Sequence, residues 1–232
     1  EVHNLAEVEP ERLQQLQSLW WQQAETNQVL PLDDRFAPRF AENAERHRGG
    51  RTQYTFWPGM GHLPSDVAPD LRSRSYRIDV DLEVLSDRDS GVLIAHGDAT
   101  GGYSLYMDNG HLVHDLNIGG THQLLTSPEP VLPGRRELAL VMQRQPQDDN
   151  SVIGRASLRV DDVEVAELST NSIFTLMISW SGLDIGFDRG TTVGNYASPF
   201  TFSGKLHKVT VDLSDDQELD HDGVGRAEMA RE

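Results

Sequence analysis

Three carboxylates stand at alternate positions in the segment DVDLE, at Asp79, Asp81 and Glu83. Successive side chains of a β-strand point to opposite faces, so residues two apart share a face. Two carboxyl groups on one face can supply the acid and the nucleophile that glycoside hydrolysis requires. The residue types and their spacing therefore raise the hypothesis of a glycosidase site on the exposed face of a strand.

This segment resembles the Glu-x-Asp-x-Glu strand of laminarinase-type glycoside hydrolases, with Asp79 in place of the first Glu. Retaining hydrolysis needs carboxyl groups about 5 Å apart, whereas Cα atoms four residues apart on a strand are separated by about 13 Å. The short side chain of Asp79 makes that gap harder to close. We therefore favour the alternative that these carboxylates form the polar face of an outer strand, together with Arg77.

Three further aspartates belong to loops: Asp98, just before Gly101-Gly102, and Asp184 and Asp188 in GLDIGFDRG. Calcium prefers carboxylate and carbonyl oxygens as ligands. If the two loops meet at one end of the fold, these aspartates could form a hard-cation site. The alternative is that acidic loops follow from the acidic composition alone.

The composition argues against two kinds of partner. The chain has 232 residues, of which 37 are acidic and 20 basic, and its net charge of -17 repels phosphate backbones, which argues against nucleic acid. No apolar run approaches the length of about 20 residues that crosses a bilayer, so no membrane partner is expected. The absence of cysteine excludes disulfides and leaves the compartment, cytoplasm or periplasm, undetermined.

The segment EVEPERLQQLQSLWWQQAETN predicts an N-terminal amphipathic helix that begins near Pro10. Apolar side chains recur there at helical spacing, at Leu13, Leu16, Trp20 and Ala24. One helix has no core of its own, so we expect this stripe, with the adjacent Trp21, to pack on a partner.

From Arg51 onward the pattern changes to short strands separated by turns such as Asp108-Asn109-Gly110 and Asp161-Asp162. The segment SYRIDVDLEVLS alternates clearly, with Tyr76, Ile78, Val80, Leu82 and Val84 directed inward. The sequence therefore predicts a mainly β protein: a helix and connector over 1–50, an antiparallel β-sandwich of the jelly-roll type over 51–214, and a mobile acidic tail over 215–232.

Several sequence segments resemble those of the sulfatase family. The segment VHNLAEVEPERLQQLQSLWWQQAETNQVLPLDDR is similar to the C-terminal end of sulfatase catalytic domains, including the LPLDDR connector of large bacterial arylsulfatases. The segments YTFWPGMGHLP, GGYSLYMDNGHLVHDLN, LRVDDVEVAE, LDIGFDRGTTV and SPFTFSGKLHKVTVDL resemble the extension that those arylsulfatases carry, which is a concanavalin A-like or laminin-G-like jelly roll. The resemblance runs from Val2 to about Leu213.

This resemblance implies that the chain is the non-catalytic C-terminal part of an arylsulfatase, a sulfuric ester hydrolase. Such enzymes use calcium and a formylglycine made within a Cys/Ser-x-Pro/Ala-x-Arg signature. The signature does not occur in this sequence, so no catalytic residue and no cofactor is assigned to the chain itself. The expected partner is the sulfatase catalytic domain of the same polypeptide, contacted through Trp20, Trp21, Asp33, Asp34, Arg35, Trp57 and His62.

Two alternatives rank below this one. The first is a carbohydrate-binding jelly-roll module, whose aromatic platform would come from Trp57, Tyr103, Tyr106 or Tyr196. That alternative depends on an analogy of fold, which is not by itself a sign of binding. The second is the glycoside hydrolase built on the carboxylates of DVDLE.

The resemblance makes one prediction about the gene. Because the chain begins with Glu1 and not with Met, we expect the coding sequence upstream to encode a catalytic part with the Cys/Ser-x-Pro/Ala-x-Arg signature. Sequencing that region and weighing the intact protein would test this. A start codon or signal peptide immediately before Glu1 would instead indicate a free-standing sandwich protein and would favour the two alternatives.

Overall fold

The computed structural model describes residues 4–32, 49–60, 62–146, 152–175 and 178–219. These residues form one helix and eleven strands: α1 (Pro10–Thr26), β1 (Gln53–Phe56), β2 (Tyr76–Val84), β3 (Gly91–Asp98), β4 (Gly101–Asp108), β5 (His111–Ile118), β6 (Thr121–Thr126), β7 (Gly134–Pro146), β8 (Val152–Val160), β9 (Val163–Ser169), β10 (Leu183–Ile185) and β11 (Lys205–Leu213). The chain divides into two compact units, Glu1–Arg39 and Phe40–Glu232.

The first unit contains helix α1, which begins where the sequence predicts. Pro10 occupies the first turn, where its missing N–H costs no hydrogen bond, and Glu11 lies near the positive end of the helix dipole. Of the residues in α1, only Ala24 is buried. Among the described residues, no helix combines the length and the apolarity needed to span a membrane.

The second unit is a sandwich of two antiparallel sheets, as predicted. The six-stranded sheet has the order β1-β11-β2-β7-β8-β9, and the five-stranded sheet has the order β10-β3-β4-β5-β6. Strand β2 alternates between buried and half-buried residues along its whole length, which confirms the inward set that begins at Tyr76. The inner faces of both sheets contribute to one hydrophobic core, with Tyr103, Leu138 and Leu140 among its largest fully buried side chains.

The three central strands of the five-stranded sheet are buried on both faces, unlike strands of a sheet with one face in water. Strands β3, β4 and β5 are buried at nearly every position. The segment 188–200, here called the strap, contributes side chains to a second apolar cluster with this sheet. Val193, Tyr196 and Phe200 from the strap pack with Tyr106 and Val113 from β4 and β5.

The described start of the acidic tail, up to residue 219, makes specific contacts with the sandwich. Asp216 accepts hydrogen bonds from the backbone N–H and the hydroxyl of Ser75, at 2.8 and 2.6 Å. Glu218 pairs with the largely buried Arg144 at 2.6 Å. These residues are held by polar bonds and not by apolar burial. The remainder of the tail lies outside the described residues.

Two tight turns join β4 to β5 and β5 to β6. Their second residues, Gly110 and Gly120, have φ angles of 85° and 84°, which a residue with a Cβ adopts only with strain. Their surroundings differ. A Cβ on Gly110 would clash with the backbone carbonyl oxygen of Asp87, whereas nothing lies within 4 Å of a Cβ on Gly120.

This pair gives a matched test of the fold. We expect Gly120→Ala to lower the free energy of unfolding by about 1 kcal/mol, because of backbone strain alone. Gly110→Ala should cost about 2 kcal/mol more, because the backbone near Asp87 must also move. Urea denaturation of both variants measures the difference. Equal losses would mean that the Asp87 carbonyl does not approach this turn as described.

Candidate functional site

Helix α1 carries large apolar side chains that remain exposed. Leu16, Trp20 and Trp21 are 55%, 46% and 54% exposed. The two indole rings contact each other edge to face, with centroids 4.8 Å apart. Soluble proteins seldom expose contiguous apolar surface on this scale unless it is an interaction site. We call this set, with Leu13 and Leu19, the α1 face.

The other predicted interface residues fall in different places. Asp33, Asp34 and Arg35 lie outside the described residues. Trp57 follows β1 and is exposed, and its backbone N–H bonds to the sulfur of Met60 at 3.2 Å. His62 belongs to a polar cluster of the sandwich.

That polar cluster forms where β3 ends and the chain approaches β10. Asp98, the last residue of β3, accepts hydrogen bonds from the hydroxyls of Ser179, at 2.9 Å, and Ser181. Its other carboxylate oxygen accepts the backbone N–H and the hydroxyl of Thr100, at 2.8 and 2.5 Å. The Asp98 carboxylate therefore fixes residues on both sides of Trp180. We call residues 178–182 the Trp180 turn.

The charge of Asp98 is stabilised by these donors. Burial raises the pKa of the Asp98 carboxyl, but the hydrogen bonds from Ser181, Thr100 and Ser179 outweigh burial and lower that pKa to about 2. The carboxylate therefore stays ionised in the folded protein at all but strongly acidic pH.

A second carboxylate, Asp184 in β10, holds two basic side chains. Its Oδ1 lies 3.2 Å from Nδ1 of His62 and 3.0 Å from Nε of Arg189. The backbone N–H of Arg189 donates to the other oxygen at 3.1 Å. The Asp184 side chain is almost fully buried, whereas those of His62 and Arg189 are 30% and 49% exposed. Asp184 thus orients two basic groups toward the surface.

A serine and a histidine also meet here, without forming a nucleophile. Ser65 Oγ donates its single proton to the carbonyl of Ser179 at 2.6 Å. Nε2 of the buried His96, at 3.2 Å, must therefore donate to that hydroxyl rather than accept its proton. Activation of a serine requires the opposite direction. The Ser65 hydroxyl, which also accepts the N–H of Gly182 at 3.1 Å, instead ties the Trp180 turn to the sandwich.

The third predicted cation ligand, Asp188, belongs to the strap. Its carboxylate accepts the hydroxyl of Tyr196 at 2.7 Å and the N–H of Val193 at 3.1 Å. Burial raises the pKa of Asp188, and the nearby Asp184 and Asp98 raise it further. The three aspartates thus lie in one region, each with its own donors. Within the described ranges, no three His, Asp or Glu side chains are arranged to hold a metal ion.

Sequence reasoning missed Trp180, whose side chain is 59% exposed. Two residues close to Trp180 in sequence are held in place. Ser179 is buried and bonded to Asp98, and Gly182 donates its N–H to Ser65 Oγ. A tryptophan in the polar loop phrase SWSG, away from any strand periodicity, is the signal that could have identified it. The tyrosines predicted as aromatic platforms are not exposed in this way. Tyr103 is fully buried, and Tyr106 packs against Tyr196 of the strap with ring centroids 5.0 Å apart.

The carboxylates of DVDLE lie on the outer face of the six-stranded sheet, as favoured from the sequence. Each is paired with a basic side chain: Asp79 with Arg77 at 2.7 Å, Asp81 with Arg135 at 2.7 Å, and Glu83 with Lys205 at 3.9 Å. Asp79 and Asp81 line a shallow groove of about 450 Å³. A salt-bridged polar face of this kind does not present an acid and a nucleophile to a shared sugar bond.

The second unit is an antiparallel β-sandwich, and the solved structures to which the chain is similar include carbohydrate-binding and laminin domains. The sialidase module CBM40 of Ruminococcus gnavus, bound to α2,3-sialyllactose, is 17% identical, with a TM-score of 0.48 over 76% of this chain and 96% of that chain. Domains LG4-5 of the mouse laminin α1 chain are 12% identical, with a TM-score of 0.45 over 74% and 41%. A galectin of Caenorhabditis elegans is 16% identical, with a TM-score of 0.40 over 71% and 97%.

No protein-family model matches the sequence, and no curated protein matches it.

The Asp98 network generates a pH-dependent prediction. Asp98→Asn should lower the free energy of unfolding by about 1–3 kcal/mol at pH 7, because a charged acceptor of several hydrogen bonds is lost. The folded pKa of Asp98 is depressed, so its contribution is complete above pH 3.8 and disappears as the pH falls toward 2.

Unfolding of the wild type and the variant from pH 7 to pH 2.5 measures this difference. Asp108, the exposed last residue of β4, replaced by Asn, is the matched control and should show no comparable loss. A gap between wild type and Asp98→Asn that persists unchanged at pH 2.5 would contradict the assignment.

Proposed function

We propose that this chain is the non-catalytic C-terminal part of an arylsulfatase, and that it docks on the catalytic domain of the same polypeptide through the α1 face. Under this proposal the catalytic body covers the α1 face, and the jelly roll is carried beside it. The chain packs on the catalytic domain and borders the path by which substrate reaches it. The hydrolysis of the sulfuric ester takes place in the catalytic domain.

The observation that carries the proposal is the exposure of Trp20 and Trp21 on a regular, well-defined helix. Tryptophan is enriched at the centres of protein interfaces because it buries a large area with few rotatable bonds. A helix whose apolar stripe remains in water gains little stability from its own sequence. The sequence of this helix resembles the end of sulfatase catalytic domains, and we take the partner from that resemblance.

Replacing both tryptophans tests the docking. In the intact arylsulfatase, Trp20→Ala with Trp21→Ala should lower the free energy of unfolding by about 3 kcal/mol or more, since each buried apolar side chain contributes about 1.5–3 kcal/mol. Activity toward an aryl sulfate should fall as the body loosens. In the 232-residue chain alone, the same change should leave the unfolding of the sandwich unaltered.

The control is Gln15→Ala with Gln22→Ala, on the opposite side of the same helix, where both side chains are exposed. This variant should behave as the wild type in both contexts. Unchanged stability and activity of the tryptophan variant in the intact enzyme would exclude the α1 face as the docking surface.

A second candidate function, carbohydrate binding, is favoured by a different observation. Trp180 presents an exposed indole on a turn whose neighbouring residues are fixed by Asp98 and Ser65. A rigid aromatic surface beside hydrogen-bonding groups suits a sugar ring, which has an apolar face and a rim of hydroxyls. The two functions involve different units of the chain and do not exclude each other. No comparable observation favours the glycoside hydrolase.

A further inference from the structure

We propose that the Trp180 turn is a binding site for neutral oligosaccharides that discriminates against sulfated, sialylated and uronic-acid sugars. This inference rests on the second candidate function, carbohydrate binding, and adds the location and the ligand class. Three properties of the described residues support it: a fixed aromatic surface, basic groups with donors to spare, and a local excess of carboxylates.

The aromatic surface is fixed before any ligand arrives. Ser179 and Ser181, on either side of Trp180, both donate hydroxyl hydrogen bonds to Asp98. The backbone N–H of Ser181 also donates to Ser179 Oγ at 3.1 Å. An exposed side chain on backbone held this firmly loses little conformational freedom when a ligand stacks on it, and this reduces the entropic cost of binding.

Basic groups with available donors lie in the same region. Arg189 uses Nε and its backbone N–H to bond Asp184, so its two terminal amino groups remain outside those contacts. His62 faces Asp184 through Nδ1, and its Nε2 lies against the Trp180 turn, where a Cβ on Gly182 would be 2.6 Å away. These groups can donate to, or accept from, sugar hydroxyls.

The charge of this region selects the class of sugar. This region holds the three carboxylates of Asp98, Asp184 and Asp188 but only two basic side chains, those of Arg189 and His62. The whole chain carries a net charge of -17. An incoming sulfate or carboxylate would meet the negative potential of the whole chain, and Arg189, which reaches the surface, is already paired with Asp184. A neutral sugar avoids that repulsion and still finds both donors and acceptors.

The test uses the full 232-residue chain on an array of neutral glycans and their sulfated and sialylated counterparts, followed by calorimetry on the best ligand. We expect neutral glycans to bind at least about tenfold more tightly than their anionic counterparts. Trp180→Ala should weaken neutral binding by about tenfold or more. Trp180→Phe, which keeps an aromatic ring, should recover part of the loss.

Leu85→Ala is the matched control, because Leu85 is a large apolar residue that is 60% exposed, against 59% for Trp180. It should bind as the wild type does. Circular dichroism and thermal unfolding of all variants establish that each is folded, which is expected because both side chains are exposed.

Each other result overturns a defined part of the proposal. Anionic glycans that bind as tightly as neutral ones, and depend on Trp180, would overturn the ligand class while leaving carbohydrate binding in place. Neutral binding that survives Trp180→Ala would overturn the site. No binding to any glycan at millimolar concentration would remove the carbohydrate function altogether, without bearing on docking through the α1 face.

Discussion

A buried carboxylate, Asp188, holds the strap in its folded shape beside the five-stranded sheet. It is only 2% exposed and accepts both the Tyr196 hydroxyl and the Val193 N–H. Burying this group without such donors would be costly. With them in place, the aromatic rings of Tyr106, Tyr196 and Phe200 close a second apolar cluster on the outer face. Because both faces of the central strands are covered, even polar side chains such as His114 and Asp115 are buried there, and the cluster around Asp98 lies at the end where β3 and β10 meet the loops.

Two aspartates at that end show how local donors set opposite properties for the same side chain. The pKa of Asp98 is lowered because hydroxyl and amide donors outweigh burial, whereas the pKa of Asp188 is raised because burial and neighbouring carboxylates outweigh its donors. Asp98 therefore remains a charged acceptor across the physiological range. The geometry of the Trp180 turn is consequently insensitive to ordinary changes of pH, which suits a surface that must be in place before a ligand arrives.

The parts of this structure that sequence predicts well are those set by local periodicity. The alternation that begins at Tyr76 and the Asn109-Gly110 turn each specify a conformation within a few residues, and both were found as predicted. Burial of β4 on both faces was not foreseen, because Gly102 and Ser104 look like residues of a wet face and only the strap, some 90 residues later, covers them. The fixed backbone around Trp180 was missed for a related reason: it depends on Asp98, which is distant in sequence.

The first and last strands of the sandwich are hydrogen-bonded neighbours. Gln53 at the start of β1 pairs with Asp212 near the end of β11, and the N–H of Leu213 donates to the carbonyl of Thr52 at 2.7 Å. The points where the chain enters and leaves the domain are thus about one strand spacing apart. Tension applied through the flanking chain would first break the bonds of Asp216 and Glu218 with Ser75 and Arg144, and would then separate β1 from β11 from one end, pair by pair. The antiparallel pairing of the first and last strands thus favours stepwise separation at this edge over simultaneous rupture of the sheet.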